Sequence, residues 1–122
     1  MRIVTDIKDA NTLLQLYIGS TFQIVVYSAS LRRMAFRLIL PNVDEVLYVV
    51  GIGCESLKGR FSFSNANLNI SIENTNENNE FSTIIEDKLA EFSLITSGGF
   101  SLAQGTESEF GESFENFLVD KK

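Results

Sequence analysis

Few residues in this chain are equipped for chemistry, and the commonest of them is missing. Among 122 residues there is no histidine and one cysteine. Without imidazole the chain lacks a general base tuned to neutral pH, the usual activator of a serine or thiol, and a common zinc ligand. Cys54 stands in Gly51-Ile52-Gly53-Cys54-Glu55-Ser56. A reactive thiol needs a cation, a histidine or a helix N-terminus to lower its pKa. The apolar run before Cys54 predicts a buried structural thiol instead. Gly51-x-Gly53 lacks the third glycine of a dinucleotide fingerprint and leads into strand-like sequence. It predicts a bulge or a close backbone approach.

Carboxylates are the remaining candidates. Asp44-Glu45 and Glu86-Asp87 are adjacent pairs. Neighbours on a strand point to opposite faces, whereas glycoside hydrolysis needs two carboxyls facing each other across a cleft. Both pairs therefore read as turn and surface acids. The stretch Asn74-Thr75-Asn76-Glu77-Asn78-Asn79-Glu80 lacks the ligand spacing of a calcium loop and reads as a solvated connection. The expectation is a non-enzymatic protein with no catalytic residue, no metal and no cofactor.

Charge is sorted along the chain. Residues 1–72 hold seven basic and five acidic side chains; residues 73–122 hold three basic and eleven acidic ones. The first part is thus +2 and the second −8, which together give the formal charge of −6. Such asymmetry speaks about partners rather than fold. Arg32, Arg33 and Arg37, with Lys58 and Arg60, form a basic cluster in sequence. An isoelectric point near 4.6 opposes approach to phosphates, so these arginines are expected to pair with the chain's own C-terminal acids. The acidic part is read as a surface that docks a basic protein partner, because clustered carboxylates speed association and reject wrong partners. The contact residues expected are Glu107, Glu109, Glu112 and Glu115, supported by Glu86 and Asp87. Phe110, Phe114 and Phe117 lie among them as apolar anchors.

The elements that must position these groups are mostly strands. One helix is predicted first, capped at Thr5 or Asp6, with Ile7, Ala10, Leu13, Leu14 and Tyr17 at helical spacing and Gly19-Ser20 ending it. Residues 21–28 and 33–40 form a hairpin around Ala29-Ser30-Leu31, with Phe22, Ile24 and Val26 on one face. Its second strand puts Met34, Phe36, Leu38 and Leu40 on one face, and Arg33, Ala35, Arg37 and Ile39 on the other. Pro41-Asn42-Val43-Asp44 is a turn, and Val46 to Ile52 is the central strand. Residues 56–64 are less regular. Leu68, Ile70 and Ile72 alternate inward. Residues 81–86, 89–97 and 100–104 are further strands, the last two joined at Gly98-Gly99. The C-terminal stretch is a short amphipathic helix or an edge strand. The whole reads as one all-β domain over residues 1–122, an antiparallel sandwich or partly open barrel of about seven or eight strands.

A lone cysteine makes no internal disulfide, which fits a reducing compartment. Met1 to Asp6 meets an acid before any apolar run, unlike a signal peptide. The longest apolar stretch, Val46 to Cys54, is far short of the ~20 residues of a membrane helix. The expectation is a cytoplasmic protein that binds neither nucleic acid nor membrane.

The run Tyr48 to Gly59, followed by Phe63 and by Asn65-Ala66-Asn67-Leu68, resembles small all-β bacterial immunity proteins of contact-dependent growth inhibition and related toxin systems. The resemblance covers about the middle third of the chain and brings no catalytic motif. It implies a protein that neutralises one basic cognate toxin by occluding it. Against a nuclease, an acidic surface then mimics phosphate. The alternative reading is a carrier of a small apolar ligand, its cavity lined by Phe22, Phe36, Phe61, Phe63, Phe81 and Phe92.

Overall fold

The computed structural model describes residues 1–74 and 81–110. Chain order is β1 (Arg2–Val4), α1 (Ile7–Gln15), β2 (Ser20–Ser28), β3 (Arg33–Ile39), β4 (Glu45–Ile52), β5 (Cys54–Lys58), β6 (Ser62–Ala66), β7 (Asn69–Asn74), β8 (Phe81–Asp87), β9 (Phe92–Thr96), β10 (Phe100–Thr106) and α2 (Glu107–Phe110). Two antiparallel sheets result, a six-stranded one in the order β1-β10-β4-β3-β2-β6 and a four-stranded one in the order β5-β9-β8-β7. The architecture is a sandwich and not a closed barrel, with more strands than the sequence suggests. β1 is only three residues long, and the irregular stretch after Cys54 divides into β5 and β6, which join different sheets.

The core lies between the sheets. Phe22, Phe36, Leu38, Leu47, Val49 and Leu102 face inward from the larger sheet, and Ile70, Ile85, Phe92 and Leu94 meet them from the smaller one. Each such side chain contributes about 1.5–3 kcal/mol by leaving water. Ala10, Leu13 and Leu14 of α1 complete this layer. The helix starts where the Asp6 carboxylate accepts the Asp9 N–H at 3.0 Å, the bond an N-cap supplies. The Asn11 amide then donates to the Ile70 carbonyl and accepts the Ile70 N–H, both at 2.8 Å. One side chain thereby occupies part of the outer edge of β7.

Alternation holds along β3 and β4, but β2 breaks it. Ile24 pairs with Phe36 and Val26 pairs with Ala35, so Val25 is an extra residue. The bulge flips the phase. Phe22 and Ile24 face the core, while Val26 packs on the opposite face with Ala35, Tyr48 and Val50. The expected shared face of Phe22, Ile24 and Val26 is corrected on that point. The face of Arg33 and Arg37 is likewise partly apolar, because Ala35 and Ile39 belong to this second cluster. Ile72 is exposed rather than inward, near the end of the edge strand β7.

The two glycines before Cys54 mark the passage between sheets. A Cβ on Gly51 would meet Leu94 Cδ2 at 2.8 Å, so the sheets pack closely here and Leu94 would have to shift to admit one. Gly53 has φ +71°, and a Cβ there would meet the Gly98 N at 2.9 Å, so a side chain is both strained and blocked. Among the described residues no helix is long and apolar enough to cross a membrane.

Candidate functional site

Two regions of the surface carry the groups a partner would meet. The first is the end of the larger sheet where Thr106 pairs with Glu45. Exposed Asp44 and Glu45 enter this end from one side, and Glu107 and Glu109 leave it on the other. Thr106-x-x-Glu109 has the spacing of a capping box and forms one of its two bonds. Glu109 Oε1 accepts the Thr106 N–H at 2.8 Å, and its Oε2 accepts the ammonium of Met1 at 2.9 Å. The Met1 ammonium, helped by the Thr106 N–H, holds the Glu109 carboxyl below the usual glutamate range. Glu107 Oε2 accepts from Arg37 Nη1 at 3.0 Å, and Arg37 Nε donates to Gln23 Oε1 at 2.9 Å. The expected pairing of a sequence arginine with a C-terminal acid is therefore present. Tyr17 ties this end to the core: its hydroxyl donates to the Glu45 carbonyl at 2.9 Å and accepts from Gln104 at 3.2 Å. Burial pushes the Tyr17 phenol up.

Of the acids singled out in sequence, Glu107 and Glu109 are brought together here, and Glu112 and Glu115 lie outside the described residues. Glu86 and Asp87 belong to the smaller sheet, on β8. Asp87 is 2% exposed. Its two oxygens accept the Asn67 N–H at 2.7 Å and the Ala90 N–H at 3.1 Å. It clamps two chain turns and is withdrawn from any docking surface, so the reading of Asp87 as a contact residue is corrected. Glu86, beside it, is half-buried.

The second region was not singled out by the sequence. β6 pairs with β2 from Ser20 to Gln23, and the last bond runs from the Ile24 N–H to the Phe61 carbonyl at 2.8 Å. Beyond it, Val25 to Ser28 has no neighbouring strand on that side among the described residues. Across the gap stands β5, the edge of the smaller sheet. The sandwich is open here, and a cleft of about 300 Å³ enters it, lined by Ile24, Tyr27, Met34, Leu57, Phe61 and Leu94. Phe61 is 77% exposed and Tyr27 50%. Arg32 closes the top of the gap: its carbonyl accepts the Cys54 N–H at 2.8 Å and its Nε donates to the Cys54 carbonyl at 3.3 Å.

Cys54 reaches this cleft yet is buried, and burial pushes its thiol up. That is the structural thiol expected from sequence. Among the described residues no group of three or more acidic or cysteine side chains is placed to hold a metal ion.

No match was found among protein-family models, curated proteins or solved structures. The functional reading therefore rests on the residues themselves.

The six phenylalanines expected to line one cavity do not do so. Phe22, Phe36, Phe63 and Phe92 pack on one another with ring centroids 4.4–5.9 Å apart. Phe61 and Phe81 are on the surface. The signal for the real cleft was faint: an aromatic at residue 61 after Lys58-Gly59-Arg60, a turn-like sequence where an exposed ring is out of place.

Proposed function

We infer that the protein is a non-enzymatic binding protein that occludes a basic protein partner, a cognate toxin of the kind the immunity-protein resemblance implies. The observation that carries this reading is the convergence of Asp44, Glu45, Glu107 and Glu109 at one end of the larger sheet. The Met1 ammonium and Arg37 fix two of these carboxylates in place. Fixed charges cost less ordering on binding than free ones, and a charge of −6 steers a basic partner toward them.

The test is capture from source-cell lysate at low and high salt, followed by co-expression. The expected result is one basic protein, released by salt, that is toxic alone and harmless beside this chain. Glu107→Lys with Glu109→Lys should then weaken capture tenfold or more. Undiminished binding by that double variant removes the acidic end from the interface.

A second reading has its own support. The cleft between β2 and β5 is apolar and at the lower size limit of small-molecule sites. A carrier of a small apolar ligand would use it, and native mass spectrometry of the purified protein would show the ligand's added mass.

A further inference from the structure

We propose that the open side between β2 and β5 receives an extended segment of a partner protein, added as a strand along Val25–Ser28. One aromatic or long aliphatic side chain of that segment enters the cleft, and its flanking carboxylates meet Lys58 and Arg60. This inference goes beyond the acidic end and uses none of its residues.

Three observations carry it. The first is the backbone. β6 leaves β2 at Ile24, so among the described residues the last four of β2 present an unpaired edge, and β5 presents another across the gap. Proteins usually blunt such edges with lysine, proline or a covering loop. Here the edge carries Val25 and Tyr27, both exposed and without charge.

The second is the cleft. A strand added to an edge lies about 4.8 Å from it and sends alternate side chains inward. The Ile24–Met34–Leu94 wall sits where such a side chain points, and Phe61 and Leu57 stand at its mouth. Backbone bonds would supply affinity and the cleft selectivity, as in strand addition generally.

The third is charge. Lys58 and Arg60 are exposed beside Phe61, and neither has a carboxylate partner among the described residues. Glu55, the one acid on the cleft, lies 3.8 Å from Arg32. Glu91 shares the neighbouring hollow with Lys58 and Arg60 without an ion pair to either, so this side keeps an excess of positive charge among the described residues, and the complementary flank on the partner is acidic.

The experiment is selection of phage-displayed random decapeptides on the full chain, with amide hydrogen exchange read on the complex. Enriched peptides should carry one large apolar residue between acidic ones and should slow exchange of the Val25–Ser28 amides tenfold or more. Phe61→Asp, at an exposed position and checked for an unchanged melting curve, should lose binding at least tenfold. Lys58→Glu with Arg60→Glu should turn the flank preference from acidic to basic. An N-methylated copy of the best peptide should not bind. Failure to enrich any peptide overturns the proposal, as does protection confined to other strands, or equal binding by the N-methylated copy. Glu107→Lys with Glu109→Lys should leave peptide binding unchanged, so the acidic-end reading and this one fail separately.

Discussion

At the acidic end, charges that the sequence displays openly are already answered by the chain's own cations. Glu107 faces Arg37 and Glu109 faces Met1. At the open side of the sandwich the relation reverses. Among the described residues, groups that look unremarkable in sequence, such as Val25, Tyr27 and Phe61, stand exposed, and Lys58 and Arg60 have no ion-pair partner. A count of charges does not say which are held in place; their partners do, and Glu107 and Glu109 stay exposed while held. Exposed carboxylates are cheap to keep on a surface, whereas a ring 77% exposed beside an apolar cleft keeps unfavourable contact with water.

The sharpest way to break this comparison is to remove the core that both regions share. Phe22 touches Phe36, Phe63 and Phe92 at 4.4–4.7 Å between centroids. Phe22→Ala should cost about 3–5 kcal/mol in urea unfolding, and both regions should be lost in one transition. Next comes the one acid that sequence placed on the docking surface and the fold withdrew. Asp87→Ala strands two backbone N–H groups and should cost about 2–3 kcal/mol by the same measurement. A cost below about 0.5 kcal/mol would return Asp87 to the surface class.

Smaller effects sharpen the acidic side. Arg37→Ala and Glu107→Gln should each cost about 0.2–1 kcal/mol, and a double-mutant cycle should show a coupling that fades in 1 M salt. Glu109 gives the smallest effect, and its sign is fixed. Its folded pKa lies below that of the unfolded chain, so the folded state binds fewer protons in the window between them. The stabilisation is full above the ordinary glutamate value and is lost as pH falls through the lowered one. Acid unfolding of Glu109→Gln should therefore show a shallower loss of stability over that window than the parent protein.

Much of the fold was legible in sequence because binary alternation survives burial. The helix from Ile7, its Asp6 cap, the β2–β3 hairpin, the central place of β4 and the junction at Gly98-Gly99 all follow from local pattern and turn chemistry. What was illegible has physical causes. The bulge at Val25 adds one residue without altering composition, and a single added residue inverts every later side chain. The division of β5 from β6 depends on which sheet each joins, a long-range fact that periodicity does not encode. For the candidate site, the acids were visible but their partners were not, since Arg37 and Glu107 are 70 residues apart. The capping-box spacing at Thr106-x-x-Glu109 was a local clue to how that end is held. The cleft lies where β6 stops short of β2's full length.

Asn11 has a consequence for assembly. Two open strand edges on opposite sides of one sheet allow copies to stack head to tail without end, which is how filaments begin. By lending its amide to Ile70, α1 occupies part of one margin of the four-stranded sheet, and β5 forms the other margin. A strand approaching the β7 margin meets a backbone position already taken. A side-chain amide thus works against open-ended growth at that margin, and Asn11→Ala should raise the tendency to self-associate, read by light scattering.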